Sequence, residues 1–369
     1  MKIRFMDVAR QFKTLEPEIM REVRRVFTGG RVLQGEKTAE LEERLSGLHG
    51  LAHGVAVNSG TDALIFSLRA LGLPLGSRVA VTSLSFVASA SAIVQAGFVP
   101  VFLDVDDYYL TKEEQVLELI RKSKICAFVA VHIYGQMMEL EEIYRQAKKR
   151  GVFVIEDAAQ ALGASRRGNL PGRHSDAVCL SFDPTKVINA YGSGGMILTS
   201  NPGIERMTRM LRYHGQSKNR TYEIPGFNSQ MDEVQAALLL IKLKYLKKWE
   251  KRRQSIAEFY TEAFRDHAMA PPIKEENSHI FHKYVLRVGA RKRDRLIRFL
   301  NGEGIQTAVH YPRPLYRQPA LERFVPGPGL SGVEKIIPEL ISLPIYPELK
   351  DAEIEYIASK TKKFIMRKG

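Results

Sequence analysis

The sequence predicts a doubly wound α/β core followed by a smaller α+β unit, and three observations point there. Between about residue 54 and residue 200, short β-rich runs alternate with helical patterns, the signature of a largely parallel sheet covered by helices. A long stretch with helical periodicity, SQMDEVQAALLLIKLKYLKKWEKRRQSIAEFYTEAF, then closes that rhythm. The segment AMAPPIKEEN, with two prolines and few apolar residues, follows like a boundary between units.

Taken in order, GVAV reads as a strand that runs into the helix GTDALIFSLRALG. RVAVTS is the next strand, FVASASAIVQAG a small-residue helix, and VPVFLDV a buried strand. ICAFVAV, VFVIED and AVCLSF continue the sheet, and GMILTS follows a glycine-rich turn. Beyond the boundary segment HKYVLRV reads as a strand, RKRDRLIRFLNGEG as a helix ending in glycine, and DAEIEYIASKTKKFIM as a final amphipathic helix. The expected division is a large unit over residues 1–245 and a small one over 246–369, hinged on the long helical stretch.

Bulk properties narrow the function classes. A chain of 369 residues, 44% hydrophobic and 26% charged, has the composition of an ordinary globular protein with a sizeable core. Cys126 and Cys179 both sit in apolar, strand-like runs without CxxC spacing, so neither a disulfide framework nor a zinc site is expected. The start, MKIRFMDVARQF, lacks an apolar signal region, and a cytoplasmic location is the expectation. Val79 to Leu103 is uncharged, but its Ser, Ala, Gly97 and Pro100 fit a helix followed by a strand better than a membrane span.

The net charge is +14, with a marked basic excess in residues 201–300. The densest run, KLKYLKKWEKRR, interleaves Tyr245, Leu246 and Trp249 at helical spacing, so its charges are expected to form a solvated helix face. No nucleic-acid motif accompanies it, and a phosphorylated small molecule would use the same field.

In a doubly wound sheet, ligands gather beyond the carboxyl ends of the strands, which singles out NSGTDA, VTSLSF, IEDAAQ and SFDPTK. NSGT leads from a strand into a helix, so the N–H groups of Gly60 and Thr61 form either an anion site or an ordinary cap. Asp157 falls at the edge of a hydrophobic strand, where its carboxylate needs a cation or donors: a salt bridge, a metal or a protonated heterocyclic nitrogen. No histidine lies at metal-ligand spacing from it. Lys186 precedes Gly192, Gly194 and Gly195, the reverse of the order a phosphate-cradling P-loop requires. An amine, a buried carboxylate and an anion-binding helix start are together what pyridoxal 5'-phosphate asks for, although each has a bland structural reading of its own.

NSGTDAL, VHIYGQ, VIEDAAQALGA, SFDPTK, GFNSQMDEVQAAL and AVHYPRPLY resemble, in order and from FMDVARQ to LPIYPEL, the motifs of the DegT/StrS-type aminotransferases. These are pyridoxal-phosphate enzymes acting on nucleotide-linked keto sugars. The resemblance implies the type I pyridoxal-phosphate transferase fold, with a mostly parallel seven-stranded sheet between helices. It also implies a homodimer with shared active sites and no metal. At matching positions Lys186 would form the Schiff base and move the proton, Asp157 would pair with the ring nitrogen, and Gln160 would bond the phenolic oxygen. Gly60, Thr61 and Ser181 would bind the phosphate, Asn228 would reach in from the neighbouring subunit, and Phe86 would lie against the ring. His310 and Tyr311 would meet the sugar or its diphosphate, with His214 and Tyr213 as weaker candidates. Glutamate is the implied donor, a 3-keto or 4-keto sugar the acceptor, and amino-sugar formation for lipopolysaccharide or glycosylated metabolites the setting.

The chain departs from the family pattern in KVINAYGSGG, at Val187, Asn189 and Ser193, which puts local loop geometry and substrate fit in question rather than the cofactor chemistry. Two rivals share the fold: a dehydratase, in which histidine replaces the lysine, and a non-catalytic regulator. Retention of Lys186 speaks against the first.

Overall fold

The computed structural model describes residues 2–324 and 330–366. The strands in chain order are β1 (His53–Val57), β2 (Arg78–Thr82), β3 (Val99–Leu103), β4 (Ala127–Val131), β5 (Phe153–Asp157), β6 (Ser165–Arg166), β7 (Ala177–Ser181), β8 (Gly195–Thr199), β9 (Asn277–Ser278), β10 (Tyr284–Arg287) and β11 (Leu340–Leu343). Seven of them form one sheet in the order β1-β8-β7-β5-β4-β2-β3. β3, β2, β4, β5 and β7 run parallel, and β8 is antiparallel to both of its neighbours, β7 and β1. The strands of the centre are buried on both faces, β4 and β8 at every position, which is why they read as continuous apolar runs rather than alternating ones. Each fully buried Val or Phe contributes about 1.5–3 kcal/mol.

Parallel neighbours require crossovers, and helices Gly60–Arg69, Ala88–Gln95, Glu113–Arg121 and Glu141–Lys149 supply them. Two helices ahead of the sheet, Val8–Gly29 and Glu36–Leu48, go beyond what the sequence reading assigned. The first begins at Asp7, whose carboxylate accepts the Arg10 N–H, and ends at Gly30 with φ +73°.

The long helical stretch is two helices, Glu233–Leu243 and Leu246–Phe264, interrupted at Lys244 and Tyr245. Its charges are not all solvated, contrary to the expectation from periodicity. Lys242 is fully buried and Arg253 is 4% exposed. Lys242 Nζ donates to the carbonyl and side-chain oxygens of Asn189, at 2.6 and 3.2 Å, and Arg253 donates to the carbonyls of Phe281 and Ile345. Carbonyl dipoles hold these cations, an arrangement that helical spacing cannot reveal.

A separate apolar cluster lies mostly beyond residue 255 and includes Ile256, Tyr260, Tyr284, Leu286, Leu300 and Ile357, and Ile3 joins it from the other end of the chain. β10 pairs with β11, and β9 pairs with β6, so the proline-containing segment is stitched back onto the large sheet's side. Cys179 is buried and Cys126 half-buried, and both are free thiols.

Candidate active site

Beyond the carboxyl ends of β1, β2, β5 and β7 lies a cavity of about 510 Å³. Its lining includes Gly60, Thr61, Phe86, Asp157, Gln160, Ser181, Lys186, His310 and Tyr311. Nine of the residues singled out from sequence thus meet in one place. Asn228 does not line it: it is exposed, its side-chain oxygen accepts from Gln230, and its backbone bridges to Tyr213. Tyr213 and His214 are also exposed and outside the cavity.

At the end of β1 the chain turns into helix Gly60–Arg69, with Ser59 as the cap whose hydroxyl accepts the Asp62 N–H at 3.0 Å. That leaves the N–H groups of Gly60 and Thr61 at the positive end of the helix without intrahelical acceptors. The turn is tight: a Cβ on residue 60 would stand 2.6 Å from Ser181 Cβ, and a Cβ on residue 195 would stand 2.2 Å from the Ser59 carbonyl oxygen. Gly60 and Gly195 therefore let β1, β7 and β8 converge, and Ser181 lies directly against the helix start.

Asp157 ends β5 and is 5% exposed. Ser89 Oγ donates to its Oδ2 at 2.7 Å, Ser85 in turn bonds Ser89 at 2.8 Å, and the Ala159 N–H reaches Oδ1 at 3.2 Å. Among the described residues Asp157 has no ion-pair partner. The sequence reading missed Ser89, which sits in a helix of small residues that reads as packing.

Lys186 follows β7 in a loop closed by its own backbone, with the Lys186 N–H on the Asp183 carbonyl at 2.9 Å and the Ala190 N–H on the Phe182 carbonyl at 2.7 Å. Burial holds its amine below the usual lysine range, against the opposing pull of Asp157 and Asp183. Of the departures from the family pattern, Val187 is buried, Asn189 braces the loop through Pro184 and Lys242, and only Ser193 lines the cavity.

Gln160 is oriented by its neighbours: its Oε1 accepts the Tyr134 N–H at 2.9 Å, which leaves Nε2 to donate to the Tyr311 hydroxyl at 3.2 Å. Tyr134, from VHIYGQ, holds φ +58° and donates its hydroxyl to the His310 carbonyl, so one residue, through its backbone N–H and its side chain, ties Gln160 to the His310 loop. His310 Nδ1 meets Ser342 Oγ at 2.8 Å, its ring stacks on Phe5, and burial pushes its pKa down to about 3. Phe86 is 53% exposed and tilted against Tyr311, so packing the core is not what it does.

Phe5, His282 and Lys283 also line the cavity and escaped sequence reading, because they come from the chain's first residues and from the two positions just ahead of β10. A smaller cavity, about 230 Å³, is lined in part by Arg166 and Arg167, whose guanidiniums are already paired with Glu139, Glu141 and Glu276. Among the described residues there is no cluster of metal-ligating side chains, and no helix is long and apolar enough to cross a membrane.

The donor set fits pyridoxal phosphate: a buried carboxylate lacking a cation, a desolvated amine, and a helix start whose free N–H groups face a serine. Comparison with known proteins agrees. The chain is 37% identical to a "Pleiotropic regulatory protein" of Geobacillus stearothermophilus, over 99% of each chain. It is 34% identical to the UDP-N-acetyl-3-dehydro-alpha-D-glucosamine 3-aminotransferase of Acidithiobacillus ferrooxidans, over 97% of this chain and 96% of that one. Its fold matches DesV of S. venezuelae, solved in complex with a ketimine intermediate, with a TM-score of 0.93 and 30% identity over 99% of both chains. The family description DegT/DnrJ/EryC1/StrS aminotransferase matches residues 13–362. Its cofactor is pyridoxal 5'-phosphate, and the chain belongs to the DegT/DnrJ/EryC1/StrS aminotransferase family.

Proposed function

We propose that this protein moves an amino group from glutamate to carbon 3 of a nucleotide-diphosphate-linked keto sugar, a 6-deoxy hexose, in amino-sugar formation in the cytoplasm. The observation that carries the reading is the meeting of Lys186 and Asp157 in one cavity. The 3-aminotransferase relative and the HYPRP form of the late loop support carbon 3 over carbon 4.

Pyridoxal phosphate, when bound, supplies a carbonyl carbon that exchanges amino groups and a ring that takes up the electron pair left by a departing proton. Gly60, Thr61 and Ser181 would hold its phosphate, Asp157 would keep its ring nitrogen protonated, and Gln160 would meet its phenolic oxygen. Lys186 Nζ would be the base that takes up the α-proton of the amino acid and the acid that gives it back. Desolvation favours the neutral amine that this step needs. Phe86 and Tyr311 cover the site, and His310, held neutral by burial, would bind sugar hydroxyls.

A homodimer with shared sites is part of the proposal. Asn228 is exposed, and Leu33, which bridges to Asp232, is 41% exposed beside Val32 at 47%, an apolar surface suited to a second copy. The name of the Geobacillus relative favours a second reading, a regulator that retains the fold.

One experiment separates the readings. Purified protein is incubated with glutamate and a panel of nucleotide-linked 3-keto and 4-keto sugars, and products are identified by mass spectrometry and NMR. Borohydride treatment should also fix the cofactor to Lys186. Turnover of a 3-keto sugar is the expected result; cofactor bound at Lys186 with no transfer to any sugar would support the regulator instead.

A further inference from the structure

The cavity holds a second primary amine, that of Lys283. Lys283 is 7% exposed. Among the described residues its Nζ has no hydrogen-bond or ion-pair partner, and it lies over the face of Phe5, 5.1 Å from the ring centroid. The contrast with Lys242, whose Nζ is satisfied by two oxygens of Asn189, marks Lys242 as structural and Lys283 as unfinished. Burial, together with the charges of Lys186 and Arg253, pushes Lys283 down to about 7, with Asp183 opposing. An ammonium in that position is stabilised by an anion that enters with a ligand.

Among the described residues no carboxylate pairs with it. His282 and His310 line the cavity beside it and are kept neutral by burial. Asp157 is engaged by Ser89, and Asp183 is exposed and bonded to Thr185. Of the groups the reaction brings in, the cofactor phosphate belongs at the Gly60 helix start and a neutral keto-sugar ring carries no charge. The diphosphate of a nucleotide sugar lies a sugar ring away from the reacting carbon. The α-carboxylate of an amino acid, in contrast, is bonded to the very carbon that Lys186 must reach. We propose that Lys283 binds the carboxylate of the amino-acid donor within the cavity that contains Lys186. The assignment rests on the aminotransferase reading of that cavity.

The test uses the pyridoxal-phosphate-loaded protein and maleate, a dicarboxylate that cannot be transaminated, with affinity measured by calorimetry. Lys283→Met, similar in length but uncharged, should weaken maleate binding on the order of tenfold or more, Lys283→Arg should retain most of it, and cofactor affinity should be unchanged in both. The concentration of glutamate that half-converts the cofactor's absorbance should rise in parallel in Lys283→Met. Absence of maleate binding by the wild type, or equal binding by Lys283→Met, overturns the site. A KM increase confined to the keto sugar overturns the assignment to the donor. Maleate binding that depends on Lys283, in a protein that never converts glutamate, would keep the carboxylate site while discarding the aminotransferase reading.

Discussion

Gly60 and Ser181 approach so closely that a side-chain carbon on residue 60 would stand 2.6 Å from Ser181 Cβ. The contact joins the start of a helix to the end of β7 across the mouth of the sheet. Gly60→Ala forces the two apart. Overpacking of this kind costs about 1–3 kcal/mol, and here the shift falls on the proposed phosphate cradle. The variant should bind pyridoxal phosphate more weakly, by tenfold on the order of that energy, as read by cofactor titration, while Ser59→Gly, which keeps the backbone free, should lose less.

Ser89 is the side-chain donor to Asp157 Oδ2, and its own oxygen is met by Ser85. Ser89→Ala leaves a buried carboxylate one donor short, worth about 1.5–3 kcal/mol for a charged group. Urea unfolding should show the loss in the apoprotein, and turnover should fall because Asp157 is less firmly oriented. Wild-type stability and turnover together would show that the serine pair is incidental.

If Asn228 serves the neighbouring subunit's site, complementation follows. Lys186→Ala should be inactive and Asn228→Ala weakened in cofactor binding, yet a co-expressed mixture should recover activity. The mixed dimer then contains one site with both residues intact. Failure of the mixture to recover activity would remove Asn228 from the shared site.

Lys283 makes stability depend on pH. Its amine titrates at about 7 in the fold against an ordinary 10.5, so between those values the unfolded chain binds more protons and stability rises with pH. Lys283→Met removes that contribution. The stability of wild type minus variant, from urea unfolding of the apoprotein, should therefore increase from the lower to the upper end of the window, and a flat difference would show that Lys283 stays protonated in the fold.

Much of this was legible in the sequence because strand ends announce themselves. β1, β5 and β7 are apolar runs that stop at NSGT, ED and SFDPTK, and a parallel sheet gathers such ends together, which is why Gly60, Asp157 and Lys186 could be named from their positions, whereas Ser181 came from resemblance. His310 and Tyr311 came from resemblance, not from pattern. What stayed hidden depends on contacts between distant parts of the chain. Phe5 and Lys283 reach the cavity from opposite ends of the sequence, Ser89 looks like packing until Asp157 is beside it, and Lys242 reads as one more solvated charge in a basic run. Periodicity reports which face of a helix is apolar, and it cannot report a carbonyl waiting for an ammonium.

The antiparallel strand β8 also sets an order of events during synthesis. β1 has no partner in the sheet except β8, so the turn that carries Gly60 is made early and must wait until residues 195–199 have left the ribosome before it is anchored. Strands β2, β3, β4, β5 and β7 can associate in the meantime, but such long-range closure is slow, and the proposed phosphate cradle is unfinished until it occurs. On the proposed reading, the nascent chain becomes competent to take up its cofactor late, after Lys186 has already emerged.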